Sequence, residues 1–242
     1  MIRVSDLTKI YGSHTVLDNL SLEVGDGECV ALMGSSGGGK TTFLRCVAGL
    51  ISPTQGRISV AGVDVKAEPE FARQKMGMVF QSAALFDSLS VADNVLFGIR
   101  RARHIDRKFE RDLVKETLSR VGLEGTERLM PSELSGGMRK RLGLARALAL
   151  NPKVILYDEP TTGLDPITTY QIDGVIDEVR RKLGVTSLVV SHDLISVRRI
   201  AARVAFLDSG HLIFVGTPDE FVRSDLPPIR SLVEKAEALS LR

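Results

Sequence analysis

Gly34-Ser35-Ser36-Gly37-Gly38-Gly39-Lys40-Thr41-Thr42 constrains this chain more than any other stretch. It fits the pattern of a glycine, four residues and then Gly-Lys-Ser/Thr, which means something only between a strand and a helix. Ahead of it, Glu28-Cys29-Val30-Ala31-Leu32-Met33 reads as a short buried strand. Behind it, Thr41 to Leu50 has helical composition and ends at the breakers Gly49 to Pro53. Glycines let backbone N–H groups curl into an anion nest without Cβ clashes, and the helix dipole favours phosphate at the same point. In that setting Lys40 reaches the outer phosphates and Thr41 offers its hydroxyl to Mg²⁺. The expected ligand is a nucleoside triphosphate.

The 242 residues, 43% hydrophobic and 26% charged, suffice for one large domain carrying a sizeable inserted lobe. A net charge of +2 gives no argument for a nucleic-acid partner, and none is expected. No stretch approaches the roughly 18 uninterrupted apolar residues of a membrane span, and Met1 to Asp6 lacks the apolar core of a signal peptide. Cys29 and Cys46, without metal-ligand spacing, are expected to be buried thiols.

In chain order, Ile2, Val4 and Leu7 and then Val16 through Val24 alternate as strands around a turn at Tyr11-Gly12-Ser13. Arg57 to Val65 reads as a hairpin, and Lys75 to Phe80 as a buried strand ending at Gln81. The texture then changes. Val91 to Gly98, Phe109 to Val121 and Ser135 to Leu150 carry helical patterns with no strand between them. The fold class expected is therefore α/β, with an N-terminal antiparallel β piece and a helical lobe, 82–151, inserted into a core of 1–81 and 152–222. Val154 to Asp158, Thr186 to Ser191 and Val204 to Asp208 resume the core strands, Ile172 to Leu183 is a helix, and His211 to Gly216 closes the core as a hairpin. Residues 223–242 form a helical extension, with Ile229, Leu232, Val233, Ala236 and Leu239 on one stripe. That stripe can be buried on its own core, on a second copy or on a small accessory subunit. An intersubunit contact is expected, because the catalytic fold is complete upstream.

Two more constellations carry chemistry. Asp158-Glu159 follows a continuous apolar strand, and strands of an α/β sheet point their C-terminal ends at the ligand. Phosphoryl transfer needs a carboxylate beside Mg²⁺ and a group that positions water; Asp158 suits the first role and Glu159 the second. In Leu134-Ser135-Gly136-Gly137-Met138, Ser135 can cap the next helix, and the paired glycines bare its amides as a second anion site. Two such sites in different lobes point to a head-to-tail homodimer in which each nucleotide lies between two copies.

The phosphate loop, Gln81, Leu134 to Gly137, Asp158-Glu159, Gly163-Leu164-Asp165 and Ser191-His192-Asp193 together resemble, in order, the motifs of ATP-binding cassette (ABC) ATPases, P-loop NTPases that use ATP and Mg²⁺. The resemblance runs from Tyr11 to about Glu220. It implies that Tyr11 stacks on adenine, that Gln81 contacts Mg²⁺ and the attacking water, that His192 holds the γ-phosphate and that Asp165 reaches across the dimer. Phe80 to Val91, Ser135 to Arg141 and Gly163 to Thr168 are further similar to the ATPase subunit of Mla/Mce-type lipid transporters. That likeness implies a membrane-embedded permease, a periplasmic Mce-domain protein and a place at the cytoplasmic face of a bacterial inner membrane. An ABC ATPase for another small solute, or a soluble ABC ATPase acting on nucleic acid, is the alternative. The apolar run Ala83, Ala84, Leu85, Phe86 and Leu89 can line a groove for a permease helix or belong to the lobe's own core. The basic run Arg100 to Lys108 reads as a solvated face mixed with acids rather than a lipid-headgroup contact.

Overall fold

Period-two alternation at the start of the chain becomes a hairpin, β1 (Ile2–Tyr11) with β2 (His14–Val24), turning at Gly12 and Ser13. The computed structural model describes residues 1–102 and 106–240. Leu20, Leu22 and Val24 are two residues apart, whereas Leu17 and Leu20 are three apart, yet all four are buried. Both spacings can face one side only if the strand absorbs an extra residue. The register does slip between the pairs Leu7–Leu20 and Lys9–Leu17, where Asn19 has φ +50°.

β3 (Cys29–Gly34) is buried at every position and leads through the glycine loop into α1 (Lys40–Val47). That helix ends before Leu50, because Gly49 takes the left-handed conformation, φ +66°, that closes helices. β4 (Gln55–Val60) and β5 (Val63–Asp64) complete a four-stranded sheet ordered β2-β1-β4-β5. The short α2 (Pro69–Gln74), which hydrophobic periodicity does not reveal, precedes β6 (Met76–Val79). Next come α3 (Val91–Ala102), α4 (Arg107–Arg120), a 3-10 turn at Pro131–Glu133 and α5 (Gly136–Leu148). Among the described residues, no strand falls between β6 and the next strand, β7 (Val154–Asp158).

α6 (Pro166–Leu183) starts at Pro166, ahead of the Ile172 expected from the apolar pattern. Asp165 caps it and proline occupies its first turn, a polar start that precedes the amphipathic part. β8 (Thr186–Val190), α7 (Leu194–Ile200), β9 (Arg203–Asp208), β10 (His211–Gly216), α8 (Pro218–Val222) and α9 (Pro227–Ser240) follow. The second sheet is ordered β10-β9-β3-β8-β7-β6, parallel except for the β9–β10 hairpin. Burial of parallel strands on both faces accounts for their unbroken apolar runs. Cys29 and Cys46 are free and buried, and burial pushes their thiols up to about 12 and about 11, so neither is a ready thiolate.

Three expectations are resolved by packing. Ala83 is buried and Leu85 packs on the helical lobe, whereas Ala84 is exposed and Phe86 stacks on Phe97 at 4.1 Å with its ring partly open to solvent. The run therefore contributes to the lobe core and also leaves an apolar surface. Arg100 pairs with Glu110 and Asp93, as a mixed-charge face would; Arg103, His104 and Ile105 lie outside the described residues. The expected intersubunit role of the last helix is corrected. Ile229 and Val233 of α9 are buried in a cluster of this chain's own residues that includes Met33, Val197, Phe206 and Phe221. Leu232 and Ala236 pack against the same cluster, and Leu239 is outside the described side chains.

Ile229→Ala should cost about 2–4 kcal/mol of unfolding free energy, as truncation of a fully buried aliphatic does. Arg230→Ala, on the exposed side of the same helix, should stay within about 0.5 kcal/mol. Urea unfolding followed by circular dichroism checks both.

Candidate active site

Strand order places the motifs. The loop leaves the end of β3, His192 follows β8, Asp158-Glu159 ends β7 and Gln81 follows β6; these four strands are neighbours in that order. Ligands of open α/β sheets bind at this carboxyl edge.

The loop fits phosphate on its own geometry. A Cβ at Gly34 would lie 2.0 Å from the Leu207 carbonyl oxygen, so no other residue leaves room for β9. Gly39 takes φ +101° as the residue before α1 and supplies no side-chain cap, and the first turn of α1 holds no acid. The helix N-terminus is thus left uncapped for an anion. Lys40 Nζ donates to the carbonyls of Gly34 (2.9 Å) and Ser35 (2.8 Å), and among the described residues no carboxylate forms an ion pair with it. Burial holds its pKa below the ordinary lysine value, opposed by the charges of Glu159 and Asp158. Ser35 Oγ donates to Asp208 Oδ1 at 2.9 Å. Ser36, Gly37 and Thr41 are exposed, Thr42 is half-buried and Gly38 is buried.

Glu159 is the most constrained residue of the site. Its backbone sits at φ +51°, unusual without glycine, and its N–H donates to the Val190 carbonyl at 3.0 Å. Thr162 Oγ1 donates to its Oε2 at 2.6 Å, and His192 Nδ1 lies 2.5 Å from the same oxygen. Nδ1 carries the proton when Glu159 is ionised, which leaves Nε2 outward. Among the described residues Oε1 has no protein donor. The Asp158 carboxyl is pushed above the usual range, by burial first and then by Glu159, against the opposing pull of Arg45 and Lys40.

Lys40, Asp158, Glu159 and His192 are therefore brought together, with the backbone of Gln81 linked to that of Glu159 through Lys140. The Gln81 side chain is exposed. Other expected residues stand apart. Tyr11 is half-exposed at the end of β1, with Lys9 Nζ 4.6 Å from its ring centre. Ser135 caps α5 by accepting from Met138 N–H, Gly136 faces Leu164, and Gly137 packs on Thr168. Asp165 is exposed; its carboxylate accepts from the Ile167 and Thr168 N–H groups at 3.0 Å and from Thr168 Oγ1 at 2.6 Å. A 510 Å³ cleft beside β4 and β5, lined by Ile51, Arg57, Ile58 and Lys66, lies past the C-terminal end of α1, so the phosphate loop at the other end does not face it.

Sequence reasoning overlooked Thr162, Lys140 and Asp208. Asp208 had a readable signal, since it ends an apolar strand just as Asp158 does. Thr162 and Lys140 had none, because their partners are set by the tertiary fold.

The family model described as ABC transporter matches residues 17–162. The chain belongs to the ABC transporter family. It is 43% identical, over 93% of its length and 86% of the relative's, to the intermembrane phospholipid transport system ATP-binding protein MlaF of Haemophilus influenzae. It is 40% identical, over 98% of its length and 73% of the relative's, to the methionine import ATP-binding protein MetN of Geobacillus kaustophilus. Among solved structures, an ATP-binding cassette captured as a dimer after hydrolysis, bound to ADP and Pi, superposes with a TM-score of 0.82. Identity there is 31%, over 90% of this chain and 99% of that one. This ABC cassette is thus the ATPase subunit of a transporter, and its α/β core with an antiparallel sheet and a helical lobe is that of its structural neighbours.

Gly34→Ala should destabilise this cassette by about 3 kcal/mol, the upper range for forced overpacking. Gly37→Ala, which meets nothing within 4 Å but keeps φ +74°, should cost about 1 kcal/mol. Chemical denaturation compares the two.

Proposed function

We propose that this cassette powers movement of phospholipid or a related lipid across a bacterial cell envelope, working as a homodimer beneath a membrane-embedded permease. A periplasmic Mce-domain protein and a small accessory subunit are the further partners of that reading. It places the chain at the cytoplasmic face of the inner membrane, held there by the permease. Among the described residues no helix is long and apolar enough to cross a membrane. The observation that carries the lipid assignment is the 43% identity to the Haemophilus phospholipid-transport subunit across nearly the whole chain.

In this reading the loop amides and Lys40 hold the phosphates of ATP, and Tyr11 stacks on the base. Mg²⁺, held by Thr41, Asp158 and Gln81, would neutralise charge on the outer phosphates. Glu159 turns its unoccupied Oε1 to water and accepts its proton, while Thr162 and His192 fix the other carboxylate oxygen. His192 keeps Nε2 for a γ-phosphate oxygen. Ser135, Gly136 and Gly137 of a second copy close the site, with Asp165 passing between the two. The dimeric post-hydrolysis neighbour and the solvent-facing Ser135 support that composite site.

Glu159→Gln should abolish ATP turnover while ATP binding persists, read by phosphate release and nucleotide titration. Turnover at the wild-type rate would remove Glu159 from its role. For the cargo, the transporter purified from its native membrane and rebuilt between two vesicle populations should move labelled phospholipid only with ATP. The 40% identity to the methionine-import subunit favours small-solute import as the second reading; ATP-dependent uptake of a solute without lipid transfer would establish it instead.

A further inference from the structure

We infer that Lys140 is a positioning residue for ATP hydrolysis, its ammonium joining α5 to the backbone carbonyls of Gln81 and Glu159 so that the helical lobe sets both residues. The inference rests on the roles given above to Gln81 and Glu159.

Lys140 lies one turn beyond Gly137 on α5, the helix that Ser135 caps. It is only 9% exposed, and an ammonium stripped of water is costly unless carbonyls or charges replace the water. Two carbonyls do: Nζ donates to Gln81 O and, at 3.4 Å, to Glu159 O. The neighbouring cations behave differently. Arg139 bonds Leu134 O and Arg141 bonds Gly122 O, both within the helical lobe, whereas Lys140 reaches the ends of two core strands. Those ends belong to β6 and β7, which are paired in parallel, so one ammonium spans adjacent strand termini.

The backbone at these points needs holding. Glu159 is left-handed at φ +51°, and Ala83 and Ala84, just past Gln81, are left-handed at +61° and +46°. Such conformations persist only where the surroundings over-determine them. The same helix supplies that determination twice, since Arg146 donates to the carbonyls of Ala84 (2.6 Å) and Ala83 (3.0 Å). An apolar side chain could fill the same space but could not hold either carbonyl. The placement of the Glu159 carboxylate thereby depends on where α5 sits, and α5 carries Ser135 to Gly137.

The test is steady-state ATP hydrolysis by the purified full chain and its Lys140→Met, Lys140→Gln, Lys140→Arg and Glu159→Gln variants, each with thermal unfolding followed by circular dichroism. Lys140→Met should lower kcat roughly 10–100-fold, the scale of a lost charge-assisted hydrogen bond, with KM for ATP within about twofold. Lys140→Arg, which keeps charge and donors, should recover kcat to within about fivefold of wild type, and Lys140→Gln should fall between. A Lys140→Met protein with wild-type kcat overturns the inference, as does a loss carried by KM or one that Arg does not relieve. If the Met variant fails to fold, a Gln variant that folds and keeps wild-type kcat overturns it equally. If Glu159→Gln is dead while Lys140→Met is active, the positioning role alone falls; if Glu159→Gln turns over normally, the catalytic reading beneath it falls.

Discussion

Parallel pairing of β3 with β8 on one side and β9 on the other is the constraint on which the rest of the molecule depends. It buries the strand completely, brings the Leu207 carbonyl to where a Cβ of Gly34 would stand, and so requires glycine at the first position of the loop. Continued through the parallel pairs β8–β7 and β7–β6, it aligns the carboxyl ends of four neighbouring strands, which is why residues as distant in sequence as Gln81, Glu159 and His192 meet at one edge. Parallel strands need crossovers, and those crossovers supply α6 and the helical lobe. One pairing choice therefore positions the loop, the carboxylates and the helix that carries Ser135.

Strain is present at the same edge. Glu159, Ala83 and Ala84 all adopt left-handed backbone without being glycine, each at an energetic cost of about 1–2 kcal/mol. Each is anchored by something remote in sequence: the Val190 carbonyl and Lys140 for Glu159, Arg146 for the two alanines. The site is held from β8 and from α5 together, so neither the core nor the lobe can shift alone without relaxing it.

The loop, the apolar strand to Asp158 and the serine cap of α5 were legible in the amino-acid order, because each is a local statement about backbone freedom, burial or capping. The hairpin of β1 and β2 was legible as well, although its bulge at Asn19 became meaningful only once Leu17 and Leu20 were seen on one face. The start of α6 was missed because a proline after a capping aspartate begins a helix before any apolar periodicity shows. Thr162 and Lys140 were illegible for a different reason. A threonine in a polar turn and a lysine among arginines gain their meaning from a partner chosen by the tertiary fold. The destination of α9 was misjudged on similar grounds, since an amphipathic stripe records that a face is buried but not on what.

That destination bears on how the protein is made. Ala31 and Met33 of the nucleotide strand share one buried cluster with Phe221, Ile229 and Val233, so this strand is covered by a helix that is synthesised much later. A nascent chain can form its glycine loop early but cannot finish the floor beneath it until α9 has left the ribosome. The cover of the nucleotide strand thus arrives long after the strand itself, and a chain without α9 would carry every catalytic motif above an incomplete core.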